Sequence, residues 1–295
     1  MEGQRRVLDL PQQPFRGGFM PPSSSPILDL PASHGYRANE MCTSPTLPAP
    51  HRATAPIRQS GRRSPQSRAT PAPESLPILP QYFDALFQAH GEQHWWPGRT
   101  PFEVIVGAIL VQNTSWVNAA RAIVNLRQAK LLTPSAMEKA PQPKLARLIR
   151  SSGYFRQKVR KLKAFVKFLR NEHRGSLAAM FRAPTEKLRE QLLSVHGIGP
   201  ETADSILLYA GNHPVFVVDA YTRRILQRHG LATGKESYEE IRGLFEKSLP
   251  NDPQLFNEFH ALIVHTGKNY CRTRAPLCSQ CALRLFLPQP LEGSQ

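Results

Sequence analysis

Residues 80–288 predict an all-α fold, and three observations lead to this prediction. Apolar residues recur at the three- and four-residue spacing of amphipathic helices, most clearly over residues 155–169. Ser, Thr and Pro, which favour helix N-termini, precede several of these apolar runs. No two alternating runs are joined by a hairpin turn signal, so no sheet is expected.

The helices are expected in a definite order along the chain. Thr100 as an N-cap, Pro101 in the first turn and Glu103 as the capping-box carboxylate predict a helix over residues 102–111. Ser115 can cap the next helix, residues 116–128. Further helices are expected over residues 155–169, 184–193, 200–210, 220–229, 236–249 and 253–268.

Residues 1–75 are expected to form a disordered tail. Of the 28 prolines, 15 lie within residues 1–80, and this region has no helical or strand period. Residues 289–295 are expected to form a short second tail. The formal net charge of +16 favours a polyanionic partner. Because no run of 18 apolar residues and no secretory signal is found, a cytoplasmic protein without a membrane span is expected.

Residues 191–219 contain the motif that is most informative about function. The helix predicted over 184–193 is followed by a glycine-rich turn, and Pro200 begins the next helix. Backbone N–H groups in such a turn, beside a helix N-terminus, form an anion site, and an ordinary helix cap is the alternative. In a basic chain the simplest anion is a nucleic-acid phosphate. The turn residues predicted to contact DNA are Val195, His196, Gly197, Ile198 and Gly199.

This hairpin, followed by the apolar run 215–218 and then Asp219, resembles the helix-hairpin-helix DNA glycosylases of the endonuclease III superfamily. The resemblance covers roughly residues 80–288. It implies a six-helix lobe of residues 93–213 ending in the hairpin, and a second lobe built from residues 76–92 and 214–288. It also implies an active-site cleft between the lobes, and a monomeric enzyme that binds double-stranded DNA containing a damaged base.

Two residues match the family's catalytic machinery. Asp219 matches the catalytic carboxylate, which stabilises positive charge on the sugar and activates water. Its structural alternative is the capping of helix 220–229. Gln112 resembles the side chain that fills the gap left by the flipped nucleotide, and a polar helix C-terminus is the alternative.

The position two residues after the second glycine of the hairpin bears on the reaction type. Bifunctional members of the family carry a Lys there, whereas this chain has Glu201. Because a carboxylate cannot form a Schiff base, the motif favours water as the nucleophile and a monofunctional glycosylase. One rival is an endonuclease III-like glycosylase and AP lyase for oxidised pyrimidines. The other is a non-catalytic helix-hairpin-helix DNA-binding protein.

All three tryptophans, Trp95, Trp96 and Trp116, lie near the predicted cleft, and with Glu201 they are expected to line the base pocket. The combination of Trp-Trp-Pro, Gln-Asn-Thr and Gly-Ile-Gly-Pro-Glu resembles the bacterial 3-methyladenine DNA glycosylase III subfamily. Electron-rich rings stack on a cationic base with about 2 kcal/mol when desolvated. The resemblance therefore implies an alkylated purine as substrate and a place in the bacterial nucleoid. Packing between the lobes is the alternative for the tryptophans.

Cys271, Cys278 and Cys281 have the spacing C-x6-C-x2-C, and Leu287 replaces the fourth cysteine of the family's cluster motif. Three interpretations stay open. The cysteines hold a [4Fe–4S] cluster through three ligands, or they bind zinc together with a histidine such as His265, or the site is metal-free and packed.

The basic residues of the segment 156–163 are candidates for phosphate contacts. A solvated helix face is the alternative. The segment contains Arg156, Lys158, Arg160, Lys161 and Lys163.

Overall fold

The computed structural model describes residues 77–93, 95–96 and 98–288. Within these residues the chain is helical and has no strand, which confirms the predicted all-α class. The predicted tails, residues 1–75 and 289–295, lie outside the described residues. None of the helices in the described ranges has the length and apolar character needed to cross a bilayer.

The described residues form twelve α-helices. They are α1 (Ile78–His90), α2 (Pro101–Leu110), α3 (Trp116–Gln128), α4 (Pro134–Lys139), α5 (Gln142–Leu148), α6 (Phe155–His173), α7 (Leu177–Met180), α8 (Thr185–Ser194), α9 (Pro200–Ser205), α10 (Ala220–Arg228), α11 (Tyr238–Ser248) and α12 (Pro253–Asn269). A wider π-helical turn, Ile206–Ala210, continues α9. Residues 200–210 are therefore helical as predicted, with α-helical geometry as far as Ser205 and π-helical geometry after it. The short helices α4, α5 and α7 were not predicted from the sequence.

Capping side chains define the starts of the first helices of the site. The Thr100 hydroxyl accepts a hydrogen bond from the backbone N of Glu103 at 3.2 Å, as predicted. Ser115 accepts from the backbone N of Asn118 in the same way. The capping-box role of Glu103 is wrong, because its carboxylate is buried and pairs with Arg127 of α3 instead. A buried carboxylate gains more from a cationic partner than from one backbone N–H.

The helices pack around two hydrophobic cores. Helices α2 to α9 contribute to the first, which extends to Val215. Helices α1 and α10 to α12 contribute to the second, together with Phe216, Val217 and Val218. The buried segment 215–218 thus passes from one core to the other, and Asp219 follows it directly. Because the side chains of this segment are buried in the two cores, they fix the position of the Asp219 backbone.

The lysines of α6 have structural roles that the sequence did not show. Lys158 is buried, and its Nζ donates to the carbonyls of Leu110 and Ser152 at 2.9 and 2.6 Å. Burial, with a contribution from Lys161, lowers the pKa of Lys158 to about 8. Lys163 similarly donates to three backbone carbonyls near α4. Because backbone carbonyls occupy the amines of both Lys158 and Lys163, neither lysine is available to DNA. Only Arg156 and Arg160 of this segment are fully exposed candidates for phosphate contacts.

Candidate active site

The hairpin turn joins α8 to α9 and has the form that the sequence predicts. Gly197 has a φ of +84°, a conformation that favours glycine. Val195 and Ile198 are buried and anchor the turn, while His196 and Gly199 are exposed. A Cβ on Gly199 would meet no atom within 4 Å, so the space over this part of the turn is open. The turn therefore presents backbone on an accessible surface next to the N-terminus of α9, where an anion is favoured.

Gln112, which follows α2, is attached to this turn. Its side-chain amide donates to the carbonyl of Gly197 at 3.1 Å and to the hydroxyl of Thr202 at 2.8 Å. Its carbonyl oxygen accepts a hydrogen bond from Lys161. The structure therefore places Gln112 beside the hairpin turn. To enter a gap in the duplex, as the sequence predicts, it would have to release these partners.

Asp219 caps α10 and is also the acidic group at the junction of the two cores. Its Oδ1 accepts from the backbone N of Thr222 at 2.8 Å and from the Thr222 hydroxyl at 3.0 Å. Burial alone would raise the pKa of Asp219, but His260 and the Thr222 hydrogen bonds outweigh burial and leave this pKa lowered. The capping role is therefore present. The carboxylate is also ionised, and its Oδ2 makes no hydrogen bond with Thr222.

A buried histidine and a tyrosine lie behind this carboxylate. The Nε2 of His260, on α12, is 3.7 Å from Oδ2 of Asp219. The Nδ1 of His260 is 2.5 Å from the hydroxyl of Tyr209 in the π-helical turn. Sequence reasoning did not identify His260 or Tyr209 as site residues.

The tryptophan rings pack together and reach this group of side chains through Tyr209. The ring centroid of Trp96 lies 5.1 Å from that of Trp116 and 5.0 Å from that of Tyr209. A Cβ on Gly107 of α2 would come within 3.3 Å of the Trp96 ring, so this glycine lets the indole pack closely. Trp95 packs edge-on against Trp96. Because all three indoles stay partly exposed, they form a surface on which a ring could stack.

Two charged side chains complete the cleft. Glu201 is exposed to solvent, in the first turn of α9. The surrounding protein and the charge of Asp219 raise the pKa of Glu201, although His260 and Arg223 act in the opposite direction. Lys268, at the end of α12, places its Nζ 5.4 Å from the ring centroid of Trp95. Burial lowers the pKa of Lys268, and Asp219 counteracts this effect.

Cys271, Cys278 and Cys281 line one small cavity of about 20 Å³, and Leu287 lines it as well. Arg228 donates to Sγ of Cys271 at 3.2 Å. Three thiols around one cavity are the residue type that iron–sulfur clusters use as ligands. In the described ranges, however, no three His, Cys, Asp or Glu side chains are arranged as a ready metal site. Room for a cluster would require this cavity to widen.

The zinc interpretation with His265 is wrong for this arrangement. The His265 ring packs on His90, with 4.5 Å between the ring centroids, and does not line the cysteine cavity. His229 does line it, but its Nδ1 is already hydrogen-bonded to the Tyr82 hydroxyl at 2.8 Å.

Residues 106–251 match the HhH-GPD superfamily of base excision DNA repair proteins. A Methanocaldococcus jannaschii protein that is provisionally named a DNA repair glycosylase is 46% identical over 71% of this chain and 95% of its own length. Endonuclease III of Thermotoga maritima is 30% identical over 62% of this chain and 81% of its own length.

Solved structures extend this similarity to the fold. The 3-methyladenine DNA glycosylase of H. pylori, bound to 1,N6-ethenoadenine, has a TM-score of 0.57 and 30% identity, covering 65% of this chain and 95% of that one. An endonuclease III–DNA complex has a TM-score of 0.62 at 22% identity, with coverage of 71% and 94%, and shows the fold alone. Together with the hairpin, Asp219 and the two packed cores, these matches identify the chain as a helix-hairpin-helix DNA glycosylase of the HhH-GPD superfamily of base excision repair.

Proposed function

We propose that this glycosylase is monofunctional, acts as a monomer on double-stranded DNA, and removes an alkylated purine such as 3-methyladenine. The observation that carries the proposal is the pairing of two features at one site. Asp219, whose pKa is lowered, is connected to the indole of Trp96 through His260 and Tyr209. Glu201 occupies the position at which bifunctional relatives carry an amine. The site thus supplies charge stabilisation, and the family's Schiff-base position carries a carboxylate that cannot form a Schiff base.

The proposed reaction is a hydrolysis of the N-glycosidic bond. The flipped nucleotide enters the cleft, and its base departs with the electron pair of the bond. Asp219 stabilises the positive charge that develops on the sugar, because its carboxylate is held ionised by Thr222 and His260. A water oxygen then bonds to C1′ of the sugar, and Asp219 accepts the proton that this water loses.

The choice of base rests on charge. N3-alkylated purines are cationic, so they stack well on an electron-rich indole and leave the sugar without much acid catalysis. Trp116 offers such a ring, since it stays partly exposed although it packs against the first core and meets Trp96 in an edge contact. Trp95 is less available, because Lys268 already stands over its ring. The similarity to the H. pylori enzyme supports the same substrate class.

We further propose that Cys271, Cys278 and Cys281 hold a [4Fe–4S] cluster through three ligands. A cluster at this place would act as a structural crosslink between the loop after α12 and helix α10, which Arg228 already ties together. No step of the proposed hydrolysis passes through it.

A panel of duplexes with single damaged bases, assayed with and without alkali, tests the proposed function. We expect release of alkylated purines and strand breaks that appear only after alkali treatment. Direct breaks at oxidised pyrimidines would instead indicate an endonuclease III-like lyase. Binding of damaged duplexes without any base release would indicate a DNA-binding protein that has no catalytic role.

A further inference from the structure

His260 lies between Asp219 and Tyr209. It is only 4% exposed, and it projects from α12 towards the junction of the two cores. The Tyr209 hydroxyl lies 2.5 Å from Nδ1, so one ring nitrogen has a strong partner. No described residue forms a hydrogen bond with the other nitrogen, Nε2.

The unpartnered Nε2 points at Asp219. The 3.7 Å between Nε2 and Oδ2 is too long for a direct hydrogen bond, which needs about 2.7–3.2 Å. It suits a bridging water, because a molecule about 2.8 Å from each atom fits across such a gap. A buried imidazole nitrogen without a partner is costly, so an acceptor at this point would also stabilise the fold.

The ionised carboxylate selects the imidazole tautomer. A proton on Nε2 faces the negative Asp219, and this arrangement is favoured over a lone pair facing it. The Tyr209 hydroxyl then donates to Nδ1, which accepts. Tyr209 thereby fixes both the ring plane and the tautomer of His260.

We propose that Nε2–H of His260 and Oδ2 of Asp219 together hold the water that attacks the sugar. The proposal rests on the proposed function, since it assigns the nucleophile of that hydrolysis. The water accepts a hydrogen bond from Nε2–H and donates one to Oδ2, which leaves a lone pair for C1′. As the O–C1′ bond forms, Asp219 takes the proton and the base leaves with its bonding electrons. The proton of the water passes to Asp219, and His260 acts only as a hydrogen-bond donor.

A direct ion pair between Nε2 of His260 and Oδ2 of Asp219 is the alternative to a bridging water. It requires a protonated His260, and it would leave the water unheld. The other charged groups at this point are Glu201 from α9, Arg223 from α10 and Lys268 from α12, with both signs present.

Competition between water and methanol for the sugar tests the assignment. Base release by water leaves an abasic site that alkali cleaves, whereas capture by methanol leaves a methyl glycoside that resists alkali. His260→Leu is expected to slow single-turnover excision on the order of 10–100-fold, less than the roughly 10²–10⁴-fold of a general base, because His260 positions the water without taking its proton. It should also raise the alkali-resistant fraction several-fold, and leave affinity for a duplex with an uncleavable abasic analogue unchanged.

Two further variants separate positioning from folding. Tyr209→Phe keeps the ring but loses the bond to Nδ1, and it should shift the methanol fraction in the same direction with a smaller loss of rate. His265→Gln, on the same helix but packed against His90, is the matched control and should behave as wild type. An unchanged methanol fraction in both the His260 and Tyr209 variants would overturn the inference. Failure of the wild type to release any base would instead overturn the proposed function.

Discussion

The side-chain amide of Gln112 donates a hydrogen bond to the backbone carbonyl of Gly197, 85 residues later in the chain. This bond joins the end of α2 to the turn of the hairpin. The residue expected to enter the duplex is thus coupled to the residue expected to contact its backbone. If DNA binding at the turn breaks the bond to Gly197, the side chain of Gln112 becomes free to enter the duplex. Docking at the turn would then be coupled to base flipping.

Gln112→Ala is expected to weaken binding of lesion-containing DNA more than binding of an intact duplex, because a gap-filling side chain acts only once the base has left the stack. Loss of the bonds to Gly197 and Thr202 should also lower the free energy of unfolding by about 1–3 kcal/mol. Fluorescence of a base analogue opposite the lesion, with a melting curve, measures both. Equal weakening on both duplexes would mean that Gln112 only supports the hairpin.

Trp116→Ala is expected to reduce excision of a cationic alkylated purine by about 1–3 kcal/mol in the activation free energy, the usual value of one base–aromatic stack. The effect on folding should be smaller, because the ring is partly exposed. Trp116→Phe is the matched control and should keep most of the activity. If the Ala variant fails to fold and the wild type shows no preference for cationic bases, Trp116 is a packing residue and does not bind the base.

Borohydride is expected to trap no covalent complex between the wild-type protein and DNA, because Glu201 offers no amine at the family's Schiff-base position. Glu201→Lys places an amine there and should allow trapping. The readout is a shifted band in a denaturing gel. Efficient trapping by the wild type would overturn the monofunctional assignment and direct attention to Lys268, whose amine has a lowered pKa.

Anaerobically purified protein is expected to be brown, with visible absorption that disappears in Cys278→Ser. An open corner at Leu287 should make the cluster sensitive to oxygen, so Leu287→Cys, which restores the four-thiolate set, should lengthen its lifetime in air. Iron and zinc analyses provide the control. Colourless anaerobic protein with less than stoichiometric iron and zinc would show that the cysteine motif holds no metal.

Local signals predicted most of the fold. Capping residues such as Thr100 and Ser115 act within one turn, so the sequence shows them directly. The hairpin and Asp219 were equally visible, because their spacing is local. Glu103 was misassigned, since its partner Arg127 lies on another helix and no sequence spacing reports that contact.

In the candidate site, too, the sequence did not show contacts between residues that lie far apart in the chain. His260 appeared in the sequence as one histidine in an apolar helix, and only packing of α12 against the π-helical turn brings it to Asp219. Lys158 appeared as part of a basic face, although it is buried and holds the end of α2. Long-range pairings of this kind depend on tertiary structure, so residue type and periodicity cannot specify them.

Single-turnover excision of 3-methyladenine from duplex DNA by Asp219→Asn tests the central claim most directly. The amide preserves the shape of the side chain and can still cap α10, but it lacks the negative charge needed in the transition state. We predict wild-type affinity for an abasic analogue, an unchanged melting temperature within a few degrees, and an excision rate reduced by about 10²–10⁴-fold. Near-wild-type excision by this variant would show that the Asp219 carboxylate has no part in the mechanism.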